Sequence, residues 1–118
     1  MNVEQIRQYC ISKKGVTEGF PFDETTLVLK VGGKMFALLN LDGHPSVNLK
    51  CDPEKAVELR EHHEAILPGY HMNKQHWNTV LLDGSLTDRL LAELIDHSYD
   101  LVYESLPKKA KEEVNRSE

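Results

Sequence analysis

The segment from Thr26 to Cys51 constrains this chain more than any other, because only a run of antiparallel strands satisfies it. Thr26–Val31 is rich in β-forming residues, Gly32-Gly33 is the length and composition of a two-residue hairpin turn, and Lys34–Leu41 returns along it. Asp42-Gly43-His44-Pro45 then turns the chain into a third strand, Ser46–Cys51. In the first strand Leu27, Leu29 and Val31 alternate with Thr26, Val28 and Lys30, and in the third Val47, Leu49 and Cys51 alternate with Ser46, Asn48 and Lys50. A period of two means that one face packs against helices while the other meets water at least in part. The middle strand is apolar on both faces, as a central strand should be.

Helical signals flank this meander. Asn2 with Gln5 makes a capping box, Val3, Ile6 and Cys10 follow at helical spacing, and Gly15 ends the first helix. The loop Glu18–Asp23 carries two phenylalanines around a proline and is expected to plug the edge of the core. Asp52-Pro53 reads as N-cap and first residue of a second helix that ends at His62 or His63. Trp77–Leu82 is a further strand, with a short partner around Ile66–Tyr70. Ser85 with Asp88 caps the longest helix, whose apolar stripe is Leu90, Leu91, Leu94, Ile95, Leu101 and Val102. Arg89, Glu93, Asp96, His97 and Asp100 are assigned to its solvated side. Pro107 opens a short charged helix and a tail that frays beyond Val114. The order α-β-β-β-α-(β)-β-α predicts a single α+β domain over residues 1–118, a two-layer sandwich with its antiparallel sheet covered by helices on one face.

Composition excludes some functions. The net charge of −5 is far from the basic balance of a typical nucleic-acid-binding domain. That charge is uneven: residues 79–118 carry five basic and nine acidic groups, whereas residues 26–78 carry six of each and five of the six histidines. Met35–Leu41 is the longest uncharged apolar run and is too short to cross a membrane. Met1 leads straight into a polar segment without a leader pattern, so the expectation is a cytoplasmic protein, and a monomer is expected as well. Two cysteines, Cys10 and Cys51, make no disulfide framework and read as small buried hydrophobes.

The segment Pro68-Gly69-Tyr70-His71-Met72-Asn73-Lys74-Gln75-His76-Trp77-Asn78 holds the only tryptophan and lacks a hydrophobic period, which suits recognition or proton transfer. His62, His63, His71 and His76 do not have the spacing of a zinc site, and no metal or other cofactor is expected. His71 or His76 could act as a general acid or base with Lys74 as charge stabiliser, but no serine or cysteine sits in a nucleophile motif and no catalytic residue is assigned. On the sheet face turned to solvent, Lys30, Asn48 and Lys50 project outward, and Lys74, His76 and Asn78 are expected to extend that surface. Lysine and asparagine bond phosphates and base edges, and Trp77 or Tyr70 could stack on a base.

Phe20-Pro21-Phe22-Asp23, Lys30-Val31-Gly32-Gly33-Lys34, Val47–Glu54, Pro68–Lys74 with His76-Trp77, and the ending Leu94–Val102 together resemble the MmcQ/YjbR family of small bacterial proteins. The resemblance covers nearly the whole chain. It implies a two-layer sandwich with an antiparallel sheet, related to secretion-chaperone-like arrangements, and a weak DNA-binding role from the label many members carry. Under that reading Lys50 and Lys74 contact phosphates, Asn48, Asn73 and Asn78 make directional bonds, and Tyr70 or Trp77 stacks. Two alternatives have different signatures. A protein-interaction adaptor would expose an apolar patch beside the Phe20–Phe22 loop, and a small-ligand binder or enzyme would line a pocket with His71, Lys74 and His76. A continuous positive stripe would support nucleic acid, and a concave neutral pocket would support a ligand.

Overall fold

The structure, a computed structural model, describes residues 1–69 and 72–116. Its elements are α1 (Val3–Ile11), β1 (Val16–Gly19), β2 (Thr26–Val31), β3 (Lys34–Asn40), β4 (Ser46–Lys50), α2 (Pro53–His62), β5 (Ile66–Pro68), β6 (Trp77–Leu81), α3 (Asp88–Glu104) and α4 (Lys108–Arg116). The strands form one six-stranded sheet in the order β1-β2-β3-β4-β6-β5, antiparallel throughout. The α+β architecture with helices on one face is therefore as the sequence predicts.

Local chemistry accounts for most boundaries. The Asn2 side chain accepts from the Gln5 N–H while the Gln5 side chain accepts from the Asn2 N–H, closing the capping box. Asp52 caps α2 by accepting from the Glu54 N–H, with Pro53 in the first turn. Gly32 and Gly33 both adopt positive φ, 57° and 82°, as a tight hairpin between β2 and β3 requires.

Several expectations are corrected. Glu18 and Gly19, assigned to loop, belong with Val16 and Thr17 to an edge strand paired with β2. Phe20 and Phe22 do not plug the core but stand 50% and 64% exposed. The cap of α3 is Thr87, whose side chain accepts from the Leu90 N–H; Ser85 instead donates its N–H to Asp83. The C-terminal helix α4 runs to Arg116, with Val114 buried against Gly15.

The covered face holds the main core. Ile6 and Cys10 of α1, Leu91, Leu94, Ile95 and Val102 of α3, and Leu106 and Val114 pack on Leu27, Leu29, Val31, Phe36, Ala37, Leu39, Val47, Leu49, Ile66 and Val80. Phe36 and Ala37 are sequence neighbours yet both join this core. The β2–β3 register shifts at Leu29/Lys30, and that irregularity turns both side chains to the helices. The β3–β4 ladder stops at Ala37–Leu49. Just beyond it the buried Ser98 hydroxyl of α3 accepts from the Lys50 N–H at 2.8 Å and donates to the Phe36 carbonyl. Ser98 thus joins the two strands where the ladder fails and docks α3 on them. Asp96 and His97 are half-buried, not on the solvated side: Asp96 accepts from the Tyr9 hydroxyl and Lys13, and the His97 ring accepts from the Asp52 N–H.

Candidate ligand groove on the open sheet face

Strand register lays out the uncovered face in rows. One row reads Thr26, Asn40, Ser46 and Leu81 across β2, β3, β4 and β6. The next reads Val28, Leu38, Asn48 and Thr79, with Leu67 of β5 opposite Thr79. Beyond it Lys30 faces Met35, and Lys50 faces Trp77. Val28, Leu38 and Trp77 form a second, smaller apolar cluster with Met35 and Met72 packed against it.

Three connections rise around these rows and make a groove of about 880 Å³. The β1–β2 connection supplies Phe22, Asp23 and Thr25, the β3–β4 hairpin supplies Asp42 and Gly43, and the segment after β5 supplies Met72. The floor combines Leu38, Leu67, Leu81 and Met35 with the uncharged polar side chains of Thr26, Asn40, Ser46, Asn48 and Thr79. Asp23 and Asp42 are the ionisable groups of this lining, and no lysine, arginine or histidine belongs to it among the described residues.

Several of those polar groups are already engaged. Thr79 donates its hydroxyl to the Asn48 side-chain oxygen across the β4–β6 pair. Asp23 accepts from the Thr25 and Thr26 N–H groups and from both hydroxyls, which holds the loop against the sheet. Those donors keep its carboxyl below the ordinary value of 3.8. Asn40 accepts from the Asp42 N–H.

The predicted site residues divide. Lys30, Asn48, Lys50 and Trp77 do lie on the open face, but of these only Asn48 lines the groove. Trp77 is packed with Val28 and Leu38 rather than presented for stacking. Asn78 does not extend the solvent face. It is 3% exposed, pairs with Leu49 on the covered side, accepts from Arg60 and donates to the Ala56 carbonyl. Asn73, Lys74 and His76 are exposed in the loop before β6. Asn73 holds that loop, its side chain accepting from Gln75 and its carbonyl from His76 and Trp77. Tyr70 and His71 lie outside the described residues, so the expected cluster of His71, Lys74 and His76 is not described as a unit.

Sequence reasoning missed Arg60, whose guanidinium reaches the Lys74 carbonyl at 2.9 Å and fastens the loop to α2. It also missed the wall and floor residues Phe22, Asp42, Leu38, Ser46, Thr79 and Met72. One signal was available for the floor: small uncharged polar residues recur at alternate strand positions, where a fully solvated face would carry charges. Gly69 is fixed by proximity, since a Cβ there would fall 2.8 Å from the Trp77 Cβ and 2.9 Å from its carbonyl oxygen. Among the described residues no group of three His, Cys, Asp or Glu is placed to hold a metal ion, and no helix is long and apolar enough to cross a membrane.

Fold and groove together define an α+β domain with one sheet face covered and the other left open as a lined trough. The YjbR family model matches residues 11–101. The Escherichia coli K12 protein YjbR is 38% identical over 108 residues, covering 91% of this chain and 92% of that protein. YbdF of Escherichia coli O157:H7 is 41% identical over 96 residues, covering 80% and 79%. Among solved structures, a Deinococcus radiodurans protein superposes with a TM-score of 0.90 at 41% identity over 97% of this chain and 88% of that one. A Pseudomonas syringae protein gives 0.76 at 31% identity over 86% and 99%. The chain belongs to the YjbR family.

Proposed function

We propose that this protein is a binding protein that receives a ligand with a largely apolar body in the groove on the open face of its sheet. The observation that carries this reading is the lining: Leu38, Leu67, Leu81, Met35, Met72 and Phe22 with uncharged polar groups between them, in a volume of about 880 Å³. Small-molecule sites are mostly apolar concavities of roughly 300–1,000 Å³ with a few placed polar groups. Nucleic acid is less well served. Its affinity comes from cations neutralising phosphates, and among the described residues the ionisable groups of this lining are two carboxylates. DNA would be confined to Lys30 and Lys50 at the far end of the face and to Lys74 in the loop, and so few phosphate contacts predict weak binding with a shallow salt slope.

The exposed Phe20 and Phe22 favour a second reading, in which a partner protein covers the same face. Amide chemical-shift mapping separates the three. Short-chain amphiphiles below their micelle-forming concentrations should shift Thr26, Leu38, Ser46, Asn48 and Thr79. Shifts from duplex or single-stranded DNA centred on Lys30, Lys50 and Lys74, with no response to any amphiphile, would replace the groove reading with the nucleic-acid one. A ligand response abolished by Phe22→Ala but unchanged by Leu38→Ala would move the contact from the groove to the loop.

A further inference from the structure

The groove is chemically polarised along the strands, and its head end has unused bonding capacity. At the row of Thr26, Asn40 and Ser46, Ser46 as a residue is 7% exposed and lines the groove, and its hydroxyl has no hydrogen-bond partner among the described residues. The Asn40 side chain accepts one bond, from the Asp42 N–H, and its amide donors are not used by any described group. The Asp42 carboxylate stands beside them on the hairpin with no described hydrogen-bond partner, whereas the Asp23 carboxylate is occupied by Thr25 and Thr26. A hydroxyl open to the groove and a carboxylate with no described partner thus line one end of the trough, and Leu38, Leu67, Met35 and Met72 lie beyond them with Asn48 and Thr79 between. At the other end of the face Lys30 and Lys50 carry the opposite charge, four residues of strand away, about 13 Å.

Resting on the groove reading, we infer that the ligand is an amphiphile with a primary ammonium head: the nitrogen donates to Asp42 and Ser46, and the apolar chain runs over Leu38 towards Met35 and Met72. A protonated amine satisfies both acceptors with its three N–H groups. A carboxylate head would be repelled by Asp42 and Asp23, and a quaternary ammonium would keep the attraction but donate nothing to Ser46. Reversed binding would set the ammonium against Lys30 and Lys50, so the charge pattern also fixes orientation. The overall charge of −5 favours a cationic ligand at long range.

Calorimetric titration of the full chain tests this with four ten-carbon probes below their micelle-forming concentrations: decylammonium, decyltrimethylammonium, a neutral decyl glycoside and decanoate. Fluorescence of Trp77, the only tryptophan, reports occupancy of the far end. Decylammonium should bind about ten-fold or more tighter than decanoate, as charge-assisted hydrogen bonds imply, with the quaternary amine between them. Asp42→Asn should erase that preference, and Ser46→Ala should narrow the gap between primary and quaternary amines. Equal affinity across the four heads, or a preference that survives Asp42→Asn, overturns the head assignment and leaves the groove reading intact. No heat and no fluorescence change with any probe overturns the groove reading itself.

Discussion

The two faces of this sheet are built from the same strands and do opposite things. The covered face meets four helices and is dry: Leu27, Leu29, Phe36, Leu39, Val47, Leu49 and Val80 are essentially inaccessible. The open face keeps a small cluster, Val28, Leu38 and Trp77, and surrounds it with hydroxyls and amides that no helix covers. A face that only needed to be solvated would carry charges, and one that only needed to be stable would carry a helix. This one is half-buried by loops, which is the condition under which a ligand of modest size can gain apolar contact without displacing part of the fold.

If that contrast holds, equal truncations on the two faces must differ in kind. Phe36→Ala on the covered face should cost about 3–5 kcal/mol in urea unfolding, because its ring is fully buried, lies edge-on to Tyr99 and leaves a cavity the helices cannot fill. Leu38→Ala, one register row into the open face, should cost about 2 kcal/mol, the low end for such changes, since the space it vacates opens onto the groove. Its main effect should be on ligand affinity. Equal losses of stability at the two positions would mean that the open face is as much a part of the core as the covered one. Ser98→Ala is next at about 1–3 kcal/mol, since it strands the Lys50 N–H and the Phe36 carbonyl at the end of the β3–β4 ladder. A near-neutral Ser98→Ala would show that the two strands close directly without it.

This contrast was only partly legible in the sequence. The meander, the Asn2/Gln5 box and the Asp52-Pro53 cap rest on neighbours within a few residues, and each appears where local chemistry places it. The strand Val16–Gly19 is short, has no buried residue and ends in glycine, so its pairing with β2 comes from tertiary context. The sequence alone predicts Asn78 on the solvent face, as an extension of Lys74 and His76. The register that sets Trp77 opposite Lys50 puts Asn78 on the helix side instead, where Arg60 receives it. The groove is less legible still: Thr26, Asn40, Ser46 and Leu81 become neighbours only through three inter-strand registers, and nothing local in the sequence announces such a row.

Arg60 links the two faces, so its removal should loosen the open one while sparing the covered one. Its guanidinium bonds the Lys74 carbonyl and the Asn78 side-chain oxygen, tying the loop that carries Met72 to α2. Arg60→Ala should cost about 1 kcal/mol globally. Amide exchange should quicken locally at Met72, His76 and Trp77, whose N–H groups bond within that loop. Uniform acceleration across β2 and β3 would show that Arg60 supports the whole fold rather than one wall of the groove.

The smallest effect belongs to pH and separates the two faces by titration. His97, on the covered side, accepts from the Asp52 N–H at the start of α2 at 3.2 Å, which only an unprotonated ring nitrogen can do. Burial, then Lys55, holds its pKa below the ordinary 6.5, against the opposing pull of Asp52 and Asp100. The unfolded chain therefore takes up this proton first. The stability His97 contributes is present above about pH 6.5 and is lost as pH falls through its lowered folded pKa. Carboxylates held low by their own donors, Asp23 and Asp83, release their contribution only below their ordinary 3.8, so the two windows do not overlap. His97→Gln keeps an acceptor that does not titrate and should flatten urea midpoints as pH falls below about 6.5. An undiminished slope in that variant would transfer the effect to another histidine. Ligand affinity in the groove should stay level across the same window, because no histidine belongs to the described lining.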